Sequence, residues 1–264
     1  MEISFSKFQG TGNDFVIMDA WEQEINLSTD QIRHTCDRHF GIGADGLMII
    51  RRHPECDFEM LYFNADGYPG SMCGNGGRCL VKYAYERGYI GRHTRFMAVD
   101  GEHRADILDQ GDVSLQMGDV KGFEKRNDAF FLNTGSPHYV CFVENAKRTD
   151  VIAEGRKIRY NEEFAAAGTN VNFVQQLSGT SIFIRTYERG VEDETLSCGT
   201  GVTAAALVSM AGVPGKDRGT VQVETPGGSL QVDFVRKENG FTGIRLIGPA
   251  TFVFKGTIRY DQGE

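Results

Sequence analysis

Two cysteines in this chain stand directly before glycines at places where a helix is about to begin. "SMCGNGGRC", Ser71 to Cys79, runs into "LVKYAYERGY", and "LSCGTGVTAAALV" spans Leu196 to Val208. A thiol at a helix start lies beside unsatisfied backbone N–H groups and the positive end of the helix dipole, and both favour its thiolate. The glycines that follow let backbone amides come close to a ligand, so the same turn can hold a carboxylate. Base and anion site would then coincide. A lone cysteine before glycine is more often a small buried residue. Cys73 and Cys198 at equivalent points of a duplicated chain would instead present two thiols to one cleft from opposite sides. Two opposed weak acid/base groups suit a reaction in which a proton leaves one face of a carbon and another arrives on the opposite face, which is racemisation or epimerisation.

The duplication is written elsewhere in the chain. "FQGTGNDFVIM" around Thr11 matches "FLNTGSPHYVCF" around Thr134, Asp45 falls opposite Asn170, Tyr62 opposite Tyr187, and Cys198 lies 125 residues after Cys73. Ordered matches at nearly one offset indicate a repeated unit.

The elements that must carry these residues are mostly strands. "ISFSKF", "FEMLYF", "TVQVET", "SLQVDF" and "TGIRLI" alternate apolar and polar residues between Gly, Asp or Asn. Helices are expected over 28–39, with Ser28 or Thr29 as N-cap, after Cys73, over 153–160, and after Cys198. The class is α+β with more strand than helix. At 264 residues, with a polar seam at 117–128, two domains are expected, 1–118 and 119–250.

Composition narrows the partners. A net charge of −8 argues against nucleic acid or an anionic membrane surface. The N-terminus lacks an export signal and no window is apolar enough to span a membrane, so a cytoplasmic protein is expected. In that setting the six cysteines read as thiols rather than disulfides, and their spacing, without a Cys-x2-Cys pair, argues against metal. Gly41 to Gly46 fits G-x-G-x-x-G, but it follows a helical segment and precedes a strand, the reverse of a dinucleotide site.

"GTGNDFVIMD", "FGIGADGL", "FNADGYPGSMCGNGGRC", "TGSPHYV", "NVNFVQ" and "YERGVEDETLSCGTG" together resemble the diaminopimelate epimerases, a cofactor-independent amino-acid epimerase family. The resemblance runs over nearly the whole chain. It implies two pseudo-symmetric domains, each a curved mixed or antiparallel sheet wrapped about a central helix, with the C-terminal strand, 251–264, returning to the first domain. It also implies a homodimer, the amino acid diaminopimelate as substrate, and no cofactor. Carried over by position, Cys73 and Cys198 match the acid/base pair, and Asn13, Asn64 and Asn170 match substrate-binding asparagines. Gly74 and Asn75, with Gly199 and Thr200, match the two carboxylate cradles. Glu188 and Arg189 match a pair suited to an ammonium group and a distal carboxylate, and His138 a histidine near the site that tunes a thiol.

From the residues alone Asn13 and Asn64 also read as turn formers, Glu188 and Arg189 as a solvated charge pair, and His138 as a core histidine. Two positions depart from the family pattern. Gly46 stands where glutamine is common and has no side chain to carry over; Ser136 stands where asparagine is common and offers a shorter donor. Rival readings are a proline or hydroxyproline racemase, a thiol redox protein in which Cys73 and Cys198 pair, and an amino-acid binding module. Cys79 reads as core packing.

Overall fold

The computed structural model describes residues 1–211 and 217–260, and the chain divides into two compact units, Met1–Leu115 with Pro249–Glu264, and Gln116–Gly248. The first unit begins with β1 (Glu2–Gly10), β2 (Asn13–Asp19), α1 (Thr29–Cys36), β3 (Gly46–Arg51), β4 (Phe58–Asn64), α2 (Gly74–Glu86), β5 (His93–Ala98), β6 (Gly101–Ile107) and β7 (Val113–Gln116). The second holds β8 (Glu124–Arg126), β9 (Ala129–Asn133), β10 (Pro137–Phe142), α3 (Val151–Arg159), β11 (Asn170–Ser178), β12 (Ser181–Glu188), β13 (Asp193–Thr195), α4 (Gly199–Ser209), β14 (Arg218–Thr225), β15 (Gly228–Lys237) and β16 (Gly240–Gly248). The chain then returns to the first unit as β17 (Thr251–Arg259), antiparallel to β1. Residues 261–264, the end of the expected C-terminal strand, lie outside the described residues.

Both sheets are mixed, and their pairings follow one another in the same order. From β1 to β7 successive neighbours pair antiparallel, parallel, antiparallel, parallel, antiparallel and antiparallel. From β9 through β10, β11, β12, β14 and β15 to β16 the succession is the same. Each unit also inserts a helix within its first parallel pair and another within its second. Strand register corrects two of the sequence equivalences. Phe15 pairs with Gly46 as His138 pairs with Asn170, and Met48 with Tyr62 as Asn172 with Thr186. Asn170 therefore corresponds to Gly46 rather than Asp45, and Tyr62 to Thr186 rather than Tyr187, because the loops shift the offset by a residue that matching letters cannot reveal.

The helices form where the sequence places their signals. Ser28 caps α1 in a complete capping box with Gln31, and Asp150 caps α3 through the Ala153 N–H. The first stops at Cys36, short of the expected 39, because Asp37 turns extended. The α4 segment "GTGVTAAALVS" is apolar all round and buried from Gly201 to Val208, the signature of a helix enclosed by its sheet. It packs against β9, β10, β11, β12, β14, β15 and β16, while α2 packs against β1, β2, β3, β6 and β17. No helix among the described residues is long and apolar enough to cross a membrane.

Candidate active site

Cys73 is the N-cap of α2. Its backbone is extended, φ −101° and ψ 121°, and its carbonyl accepts the Gly77 N–H at 2.7 Å. The N–H groups of Gly74, Asn75 and Gly76 precede that first intrahelical bond, which is where a helix receives an anion. Cys198 repeats the arrangement on α4, with φ −111°, ψ 111° and its carbonyl 2.8 Å from the Val202 nitrogen.

Side chains around Cys73 are held from behind. The Asn13 Oδ1 accepts from Cys73 Sγ at 3.5 Å and from Asn75 Nδ2 at 3.3 Å, while its Nδ2 donates to Asp45 Oδ2 at 2.6 Å. Asp45 is bound in turn by Arg38 at 2.7 Å, and Arg38 also grips Asp14 at 2.7 and 3.1 Å. Buried Lys7 reaches Asp14 at 2.7 Å. Burial by itself would push the Asp14 carboxyl up, but the hydrogen bonds from Arg38 and Lys7 outweigh it and bring its pKa down to about 2. These charges tie the "TGND" turn to the "GADG" turn. Arg78, wholly buried on α2, donates to Thr11 Oγ1 at 3.4 Å, and its Nε and Nη1 have no hydrogen-bond partner.

A different set surrounds Cys198. Its Sγ lies 3.5 Å from Thr200 Oγ1, which lies 2.9 Å from His138 Nε2. On the far side His138 Nδ1 is 3.1 Å from Asn172 Nδ2, and Asn172 Oδ1 accepts from Thr186 Oγ1 at 3.0 Å. Beside this row, Asn170 donates to Ser136 Oγ at 2.9 Å and accepts the Arg189 N–H at 2.9 Å, and Arg189 Nη2 stands 3.5 Å from Ser136. Glu188 accepts from Thr195 Oγ1 at 2.8 Å.

The third residue of each helix shows how the two floors differ. A Cβ on Gly76 would meet Met48 Sδ at 3.1 Å and Phe15 at 3.5 Å, whereas one on Gly201 would meet Asn172 Oδ1 at 2.5 Å, His138 at 3.3 Å and Thr186 Oγ1 at 3.4 Å. Equivalent strand positions are apolar under α2 and polar under α4.

Of the residues singled out from sequence, Asn13, Cys73, Gly74 and Asn75 come together in the first unit. Ser136, His138, Asn170, Arg189, Cys198, Gly199 and Thr200 gather in the second, with Glu188 directly before Arg189 at the end of β12. Asn64 ends β4 and opens a turn, accepting the Gly67 N–H at 2.9 Å. It adjoins the group through Tyr62: a Cβ on Gly70 would fall 2.5 Å from that ring and 2.9 Å from Asn64 Oδ1. Asp45, Asn172, Thr186 and Tyr62 were not among the sequence candidates. Asn172 had a signal, since it lies two residues after Asn170 and so on the same strand face. Cys36, Cys79 and Cys141 stand apart, since burial pushes each thiol up to about 12 and leaves it inert. Among the described residues no disulfide forms, and no cluster of His, Cys, Asp or Glu could hold a metal.

The family model described as diaminopimelate epimerase matches residues 5–122 and 130–253. The chain belongs to the diaminopimelate epimerase family. It is an isomerase. A diaminopimelate epimerase of Flavobacterium psychrophilum is 49% identical over 96% of this chain and 98% of its own length. That of Aquifex aeolicus is 40% identical over 97% and 98%. Among solved structures, a Bacillus anthracis phenazine biosynthesis protein of the PhzF family superposes with a TM-score of 0.77 at 14% identity, covering 98% of this chain and 100% of its own. A hydroxyproline epimerase from Agrobacterium vitis superposes with a TM-score of 0.63 at 14% identity, covering 97% and 92%. These share the α+β fold.

Within the diaminopimelate epimerase family pattern, the glycine at 46 has a physical counterpart. A Cβ there would stand 2.6 Å from the Tyr62 ring and 2.9 Å from its hydroxyl. The phenol lies where a side chain at 46 would begin, so Tyr62 takes the space that such a side chain would need.

Burial, with Arg189 adding to it, pulls the His138 pKa from 6.5 to about 3. The folded protein keeps this imidazole neutral while the unfolded chain protonates it below about pH 6.5. Stability from this group is full above that pH and is lost as pH falls toward 3, by about 1.4 kcal/mol per pH unit. Denaturant titrations between pH 6.5 and 4 should show this slope, and His138→Gln should flatten it by one proton's worth.

Proposed function

We propose that this isomerase interconverts LL- and meso-diaminopimelate, using Cys73 and Cys198 as the two bases and no cofactor. The observation that carries the reading is that two cysteines of one duplicated unit occupy the same N-cap position, each followed by the first-turn amides of a helix. One thiolate takes the Cα proton and becomes a thiol. The electron pair of the broken C–H bond passes into the α-carboxylate, whose growing charge the first-turn N–H groups of Gly74 and Asn75, and of Gly199 and Thr200, stabilise. The other thiol gives its proton to the opposite face of Cα and is left as thiolate. Asn13, Asn64, Ser136 and Asn170 hold the amino-acid ends by hydrogen bonds, Arg189 suits the distal carboxylate and Glu188 an ammonium group. The reaction serves lysine and peptidoglycan precursor synthesis in the cytoplasm.

The test is time-resolved deuterium incorporation at Cα of LL-diaminopimelate in heavy water, with trans-4-hydroxyproline as control. Exchange together with formation of the meso isomer is expected, and exchange on hydroxyproline alone would overturn the substrate assignment.

The proposal extends to a homodimer. Among the described residues strand β17 pairs in antiparallel register with β1 and leaves Phe252, Val253 and Phe254 about half exposed in a row, a nine-residue edge without proline. Such an edge asks for a partner strand, and a second β17 supplies one. Sedimentation of the parent should give a dimer, and Phe254→Asp should give a monomer at micromolar concentration.

A further inference from the structure

We infer that Arg78 is a positioning residue for the reaction: its buried charge makes the first turn of α2 the principal seat of the substrate's α-carboxylate. This rests on the epimerase reading above and adds to it a residue that never touches the substrate.

Arg78 is wholly buried. Arginine is almost never enclosed without a paired charge, because taking a cation out of water is costly unless an anion and hydrogen bonds replace the solvent. Here the guanidinium makes one hydrogen bond, at 3.4 Å to the neutral Thr11 hydroxyl, while Nε and Nη1 have no partner. Asp112 is the carboxylate whose charge reaches it, and among the described residues no ion pair forms between them. Burial weakens its hold on the proton, yet a guanidinium stays charged at neutral pH. A methionine would fill the same space without that penalty, so packing does not account for the charge.

Its place on the helix does. Arg78 follows Gly74 by one turn of α2 on the same face, and a long helical side chain leans back toward the helix start. The strand side agrees. A Cβ on Gly10 would stand 3.2 Å from the Asn75 carbonyl and 3.4 Å from Arg78 Nη2, so the guanidinium tip and the first turn flank one point. Helix dipole and guanidinium are both positive there and add, and in a site with little water such a charge acts over several ångströms. A carboxylate on the first-turn amides supplies the counter-charge that Arg78 otherwise lacks.

The second unit has no such cation. At the equivalent position of α4, 125 residues on, stands Thr203, buried and donating to the Gly199 carbonyl at 2.9 Å. The first turn of α4 therefore offers its amides and dipole alone.

Three variants test this, by steady-state epimerisation of LL- and meso-diaminopimelate, calorimetric binding of the meso isomer and urea unfolding. Arg78→Met should unfold at the parent urea concentration or above it, yet bind the meso isomer about tenfold more weakly and lose at least as much in kcat/KM. Arg78→Lys, which keeps a cation, should recover most of both. Thr11→Val, which removes the hydrogen bond and keeps the charge, should stay within about twofold of the parent. Parent-like binding by Arg78→Met overturns the inference. So does failure of that variant to fold, which would mean that the arginine serves the fold, or a loss in Thr11→Val equal to that in Arg78→Met, which would mean that the bond and not the charge matters. Turnover of diaminopimelate by the parent, measured alongside, tests the underlying epimerase reading by itself.

Discussion

Replacing either Cys73 or Cys198 with alanine should lower the epimerisation rate by about 10³-fold or more, the scale on which a positioned acid or base contributes. Neither loss can be covered by the remaining thiol, because inversion needs a proton removed from one face and another delivered to the other. Binding should change far less than turnover, since the first-turn amides of α2 and α4 belong to the backbone and survive the substitution. Steady-state assays in both directions check the rate, and calorimetric titration with meso-diaminopimelate checks the binding. Cys36→Ala and Cys141→Ser serve as controls, since Cys36 is buried on α1, Cys141 is half-buried on β10, and both thiols are far from ionising. Turnover near the parent level in either active-site variant would remove the mechanism.

Gly201→Ala should damage stability and turnover together. Alanine is the better helix former by about 1 kcal/mol. At this position, however, its methyl would sit 2.5 Å from Asn172 Oδ1 and 3.3 Å from the His138 ring, both wholly buried. Relief requires α4 to lift or the polar row to move, at a cost of about 1–3 kcal/mol for overpacking. Either movement breaks the approach of His138 to Thr200 behind Cys198. Gly76→Ala is the matched comparison: its methyl meets the flexible Met48 thioether at 3.1 Å, and it should cost less. Urea unfolding and kcat measured on both variants decide the point, and equal losses would argue that the polar floor under α4 has no special role.

Much of this was legible in the residues because its signals are local. Ser28, Asp150 and the two Cys-Gly starts mark helix ends within a few residues, and the apolar alternation of the strands needs no tertiary information. The duplication was legible too, although side-chain identity put Asp45 and Tyr62 opposite the wrong partners. Strand register corrected them, because pairing is set by backbone hydrogen bonds that pass between segments far apart in sequence. Asp45 illustrates what was hidden. In sequence it is one acid in a glycine-rich loop; in the fold it is the group that decides which end of the Asn13 amide faces a sulfur.

By itself the sequence determined the class of the protein, the four α-helices of the described residues, the repeated unit and the two cysteines at helix starts, since each depends on residue type and short spacing. Only the tertiary structure decided that the two cysteines have unlike surroundings. Phe15 and Met48 occupy under α2 the places that His138 and Asn172 occupy under α4, and Tyr62 fills the space above Gly46. Those differences lie in which side chains share a sheet face beneath a helix, and that is fixed by strand order and register rather than by any run of neighbouring residues.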